Sequence, residues 1–391
     1  MMKPGIILFC LFLAFAGLAQ KPETVYGIAK ERREESWYLT QLEGWKKLLD
    51  VDKTNGEAWY NYYKASRALR NISESDETRK KYNELCAQIV NDAYAAIPNS
   101  FEANHLKWAE GGNNESLFSY LKKAHEIDPT DMRAYEDLAT YYETQHNKAE
   151  YHKFAELMYK HNTMHASIVN WGYNLLAGVD QNAILFAAGD NDTYSAWVAQ
   201  EGLNFRKDVR VVNLHLMMID SYRDQLLKEL GFPPLAMRSE VSTKPENYHE
   251  NRMKILDHFL KNSSIRPIHI AVSAMHSLTD ESWKEKLYLT GLTYKYSEES
   301  FDNISVIVRN YEKRYLTDHM KHYFSFGIGE KVADQLNGCY LVSMLKLYEH
   351  YITSEQESRA AEIKQLLLDV SKKSGQENDV KEYFDKLEKA K

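Results

Sequence analysis

Near residue 180 the hydrophobic pattern of this 391-residue chain changes its period, so a fold of one kind throughout is ruled out. Before that point apolar residues recur at helical spacing. Leu117, Tyr120, Leu121 and Ala124 form one stripe, and Tyr135, Leu138, Ala139 and Tyr142 form the next. After it come apolar runs too short for helices. Residues 183–188 suit a buried strand, 209–214 a second, 267–272 a third and 292–296 a fourth. Helical patterns separate them over residues 194–201, from Asp220 to the stop at Gly231, and over 248–262. Strands alternating with helices predict a small parallel or mixed sheet with flanking helices. Helical spacing returns after about Asp318, in residues 332–351 and 359–371. The expected architecture is therefore α/β plus all-α. Helical-hairpin repeats occupy residues 20–165, an α/β domain 166–318 and a helical region 319–391.

The first nineteen residues read as a separate object. Lys3 gives a positive start, an apolar run spans Gly5 to Gly17, and Gly17-Leu18-Ala19 supplies the small residues of a cleavage site. This is the layout of a secretory signal. The run is shorter than the roughly 18–20 residues a spanning helix needs, and Cys10 lies too early for lipidation after cleavage. The expectation is an exported protein of the periplasm or extracytoplasmic envelope, with no span once the signal is removed. Cys86 and Cys339 then remain, in different predicted modules, so two buried free thiols are expected. The formal charge of -7 argues against nucleic acid as a partner.

Three segments in the first half resemble one another: residues 51–59, 97–104 and 127–135. In each, a polar turn leads into a charged residue, an Ala and a larger residue. The third is the most regular, with Asp128-Pro129 ending one helix because Pro disfavours helical backbone before it. It resembles a tetratricopeptide repeat, with Tyr135, Leu138, Ala139 and Tyr142 where a first helix packs. The other two depart from that pattern, with Lys53 where Pro is usual and Asn104 at the aromatic position. The resemblance implies a short irregular stack that binds a protein partner, such as an envelope membrane protein, or that braces the following domain.

The segment Gly189-Asp190-Asn191-Asp192-Thr193 falls where a strand's carboxyl end meets a helix start, the usual ligand position of open α/β sheets. Three readings stay open. Gly189 permits a turn while Asp192 or Thr193 caps the helix. Alternatively, Asp190 and Asp192 hold Mg or Mn through hard oxygen ligands and seat a sugar nucleotide. In the third, Asn191 and the helix N-terminus, with Trp197 nearby, contact a glycan.

Residues 182–186, the Gly189–Thr193 segment, 206–214, 266–271 and 289–294 together resemble a known region. It is the soluble carboxyl-terminal extracytoplasmic domain of bacterial multi-spanning membrane proteins related to protein O-mannosyltransferases. Tyr194-Ser195-Ala196-Trp197 departs from the family's usual Phe-Pro-Leu-Trp but keeps the Trp. The resemblance implies that transferase chemistry resides in a membrane-embedded part not present here. An accessory protein that binds a protein partner or a glycan is therefore expected, with no catalytic residues and no cofactor. The alternative is a divalent-metal-dependent, sugar- or nucleotide-related enzyme. His161 with His165, and His319 with His322, stand at helical spacing without a recognisable third ligand. Lys313-Arg314 reads as a solvated charge pair, and Tyr60, Tyr62 and Tyr63 as repeat core.

Overall fold

The computed structural model describes residues 21–112, 114–237, 245–275, 278, 282–321 and 328–389. The expected signal segment, Cys10 and His322 lie outside them. The chain opens with α1 (Glu35–Val51), α2 (Gly56–Ile72), α3 (Asp76–Ala96), α4 (Phe101–Glu110), α5 (Phe118–Ile127), α6 (Tyr135–Thr144) and α7 (Lys148–Lys160), packed as successive hairpins. Short polar side chains start several of them. Asn55 accepts from the Ala58 amide, Ser100 from Ala103 and Asn147 from Glu150, satisfying donors that a helix start leaves open. As expected, α5 ends at Asp128. Two apolar clusters fill the stack. One lies around Trp45, Tyr63 and Ile89, the other around Trp108, Leu121, Tyr135 and Phe154. Tyr60 and Tyr63 are buried while Tyr62 is half-buried.

The extended segment that precedes α1 runs across several of these helices. Its Val25 amide donates to Asn61 Oδ1 on α2, and Trp45 Nε1 on α1 donates to the Glu23 carbonyl. Further along, Lys30 pairs with Glu136 on α6 at 2.8 Å.

The second half begins with α8 (Ala166–Gly178), β1 (Ile184–Ala187), α9 (Asp190–Gly202), β2 (Arg210–Asn213), α10 (Asp220–Leu230), α11 (Pro245–Lys261) and β3 (Ile268–Ala271). It continues through α12 (Val272–Met275), β4 (Leu287–Leu289), β5 (Thr293–Tyr296), α13 (Asn303–Lys313), α14 (Asp318–Lys321), α15 (Glu330–Asn337), α16 (Leu341–Thr353), α17 (Glu357–Ser374) and α18 (Glu377–Lys389). The sheet order is β2-β1-β3-β5-β4. Strand β1 is parallel to both its neighbours, and β5 and β4 are antiparallel additions. The mixed sheet with flanking and terminal helices matches the expected fold class. The hydrophobic pattern did not reveal β4, whose Leu287 and Tyr288 are only half-buried, or α13. The helix expected over 332–351 is divided at Gly338 into α15 and α16 by a short 3-10 turn.

Stack and sheet share one interior. Tyr151 and Ala155 of α7 belong to the cluster that contains β1 and β3, while Val198 of α9 belongs to a cluster of the stack. The closest approach is between α8 and α9. A Cβ placed on Gly172 would stand 2.2 Å from the Ser195 carbonyl carbon, backbone that cannot swing aside. We expect Gly172→Ala to destabilise the fold by about 1–3 kcal/mol, read as a lower urea midpoint with an unchanged slope. An unchanged midpoint would show that the helices separate freely here.

Candidate functional site

Strand β1 connects through α9 to β2 on one side, and the chain returns to β3 on its other side. The order of the strands therefore reverses between β1 and β3, and a crevice at their carboxyl ends follows from that topology. The Gly189–Thr193 segment stands there. It is the first turn of α9 rather than a loop, since the helix begins at Asp190 and not near Tyr194. No side chain caps it, so neither Asp192 nor Thr193 has the expected capping role. Gly189 has φ -146°, extended backbone open to any residue, and the turn does not require glycine.

These five residues face different surroundings. Asp192 is buried at the crevice, where its Oδ1 accepts from Trp171 Nε1 at 3.1 Å and its Oδ2 from Ser273 Oγ, just beyond β3, at 2.5 Å. Thr193 Oγ1 accepts from Asn213 Nδ2 at the end of β2, at 2.8 Å. Asn191 Nδ2 donates to the Ala29 carbonyl of the leading segment, at 3.0 Å. Asp190 reaches solvent, with the charges of Glu136, Arg67, Asp137 and Lys30 around it. Positions two apart on a helix are about 200° apart around its axis, so Asp190 and Asp192 look to different sides. Trp197 lies a full two turns further on, 2% exposed, against Tyr151 and Tyr194 in the core.

Asp190 adjoins a polar inner surface of the stack, here termed the recess, that sequence reasoning did not find. The inner faces of α2, α4, α6 and α9 join through a chain of side chains. The Tyr60 hydroxyl meets His105 Nδ1 at 3.2 Å, His105 Nε2 meets Asp137 at 2.8 Å, and Thr140 bonds Tyr194 at 3.0 Å. Lys64 and Arg67 project from α2 toward this row. Lys64 lies 5.2 Å over the Tyr60 ring, and neither it nor Arg67 makes an ion pair among the described residues. Asp190 likewise has no hydrogen-bond or ion-pair partner among them. Neighbouring side chains take water from half-buried Lys64 and Arg67 and in part from Asp190, which keeps contact with solvent. Desolvation, then the Arg67 charge, lowers the Lys64 ammonium to about 8. Desolvation, then the Glu136 charge, raises the Asp190 carboxyl. Asp137 is held low despite its desolvation by the His105 hydrogen bond and by the charges of His105, Lys64 and Arg67. The contributors are divided among α2, α4, α6 and α9, which is why no motif spacing gave this surface away.

His161 and His165 lie on different elements, and of the second pair only His319 is among the described residues. His161 ends α7 and His165 precedes α8, where it accepts from the Ser167 amide. His319 is buried between Asn170 and Asn337. Cys86 is buried beside Ser66, and Cys339 is half-buried; both are free thiols.

The chain thus combines stacked helical hairpins with a small mixed α/β sheet whose crevice meets the stack at one helix start. The sequence profile of a family described as TMEM260-associated domain 2 matches residues 168–232, the stretch from α8 through α10 that includes that helix start. TMEM260 is itself a candidate protein O-mannosyltransferase. The chain matches none of the curated proteins compared with it.

Two substitutions separate support from exposure. Asp192→Ala leaves the buried Trp171 and Ser273 donors without this acceptor and is expected to cost about 1–3 kcal/mol in chemical denaturation. Asp190→Ala should be neutral or slightly stabilising, because a raised folded-state pKa means the ionised group opposes folding at neutral pH. Equal losses from both variants would contradict this division of roles.

Proposed function

We propose that the protein is an exported, non-catalytic accessory protein of the bacterial envelope, built on tetratricopeptide-like repeats. Its recess at Lys64, Arg67 and Asp190 engages a polar segment of a protein partner or a glycan. The observation that carries this reading is that Lys64, Arg67 and Asp190 gather on the inner surface of the stack without a direct ion pair among the described residues, with Asp137 close by. Charged groups of both signs that are not locked in direct pairs can each take a complementary group of a polar ligand. A peptide-like ligand is favoured, because the adjoining surface already holds an extended segment through main-chain groups of Val25 and Ala29. The envelope setting rests on the signal-like first residues and on the resemblance to extracytoplasmic domains. Among the described residues no helix is long and apolar enough to cross a membrane.

The reading is tested by recovery of partners from envelope extracts. Wild-type protein should retain a defined partner, and a Lys64→Glu/Arg67→Glu variant should retain at least tenfold less while keeping its circular dichroism spectrum. Equal recovery by both overturns it, as does substrate turnover abolished by Asp190→Ala. The metal-dependent alternative has less support, since Asp190 and Asp192 diverge and no three acidic, His or Cys groups converge among the described residues. Melting with Mn or Mg, alone and with sugar nucleotides, should accordingly leave Tm unmoved. A ligand that binds only the folded state raises Tm, so a rise that disappears in Asp190→Ala would favour the enzyme.

A further inference from the structure

At the opposite end of the sheet, where β1 begins, lies an open recess of about 610 Å³ lined by Arg206, Arg309, Lys313, Arg314 and Asp180, with Tyr173 and Phe205. Four cations therefore surround one acid. That acid is already engaged: Asp180 receives His269 Nε2 at 3.1 Å and Lys295 Nζ at 2.8 Å. Arg206 is fully occupied as well. Its Nε and Nη2 donate to Asp208, and its Nη1 and Nη2 donate to the carbonyls of Leu176, Val179 and Asp180. It contributes charge and fixes the wall.

The other three cations differ. Arg314 is anchored through Nη1 to the Ala177 carbonyl at 3.2 Å, and its Nε and Nη2 make no hydrogen bond among the described residues. Arg309 and Lys313, one turn apart on α13, have no acidic partner among the described residues. Their sequence signature suggested only a solvated charge pair at Lys313-Arg314, because Arg206 reaches the same recess from more than a hundred residues away. The crowding has an electrostatic consequence. Desolvation, then the charges of Arg309 and Arg206, lowers the Arg314 guanidinium. One wall is apolar, formed by the Tyr173 and Phe205 rings stacked at 4.2 Å.

We propose that this recess binds a phosphate- or sulfate-class anion. A single carboxylate is satisfied by one guanidinium fork, whereas Arg309, Lys313 and Arg314 at one helix end, with the charge of Arg206 opposite in the lining, gather more positive charge than one carboxylate offsets and suit an anion of higher charge with more oxygens. The recess is larger than a bare tetrahedral ion, and the aromatic wall offers apolar contact to the body that carries the anion. The site is distinct from the Lys64–Arg67–Asp190 recess and does not depend on the function proposed there.

The test is calorimetric titration of the full mature chain with inorganic phosphate, glucose 6-phosphate and glucose. We expect saturable binding of both anions and none of glucose. Tighter binding of glucose 6-phosphate by about tenfold identifies a carried phosphate, and equal affinity identifies the free ion; both support the site. Affinity should fall with added salt. An Arg309→Gln/Lys313→Gln variant, altered only at exposed positions, should lose at least tenfold, and Lys313→Gln alone should lose part of that. Lys64→Gln should bind as wild type, which separates this site from the other recess. The proposal is overturned if neither anion binds saturably, or if binding survives intact in the double variant.

Discussion

The whole arrangement depends on two helices touching backbone to backbone. Where α8 crosses α9, Gly172 has no side chain and the Ser195 main chain occupies the space one would fill. A larger residue would hold α9 away from α8, and α9 has two obligations. Its flank packs on α7 and continues the stack, with Tyr194 joining the polar row of inner-face side chains. Its first turn meets the carboxyl ends of the strands, with Asp192 bonded to Trp171 of α8 and to Ser273 beyond β3. Only close contact allows both. The helix thus belongs to the sheet and to the repeats: Trp197 sits in the sheet's apolar cluster, Val198 in the stack's, and half-buried Tyr194 packs against both.

Much of this was legible in the sequence, for a physical reason. Strands β1 and β3 are buried on both faces, so their residues are apolar apart from the hydrogen-bonded His269, and such runs announce themselves. Gly231 ends α10 in the left-handed conformation that favours glycine, and that stop was also readable. Other features depend on contacts far apart in the chain. Half-buried β4 needs its partner β5 to be recognised, and nothing local marks Gly172 as a crossing point. The Gly189–Thr193 segment drew attention rightly as the end of β1, but its composition suggested a loop. Asp190, Asn191 and Asp192 are instead spread around a helical turn, and each answers to a different neighbour.

The two ends of the sheet carry different electrostatic characters. At the carboxyl end, charges of both signs face one another across the inner surface of the stack, and several are partly stripped of water. At the amino end, positive charge accumulates around Asp180, whose carboxylate is held well below its usual range by His269 and Lys295 despite desolvation. His269 itself is buried, and desolvation lowers its pKa despite the hydrogen bond and charge of Asp180. A rigid, low-lying core of hydrogen bonds therefore underlies a cationic rim.

The leading segment has a mechanical meaning. A stack of helical hairpins behaves as a spring, since each unit touches only its neighbours and small rotations accumulate. Here a strand of chain is tied to α1 and α2 through Glu23 and Val25, and to α6 and α9 through Lys30 and Ala29. It spans the curve as a string spans a bow. Opening the stack would stretch that string and closing it would slacken it, so the inner surface keeps one width. For the ligand proposed above, such a brace would mean recognition by fit to a fixed surface rather than by wrapping.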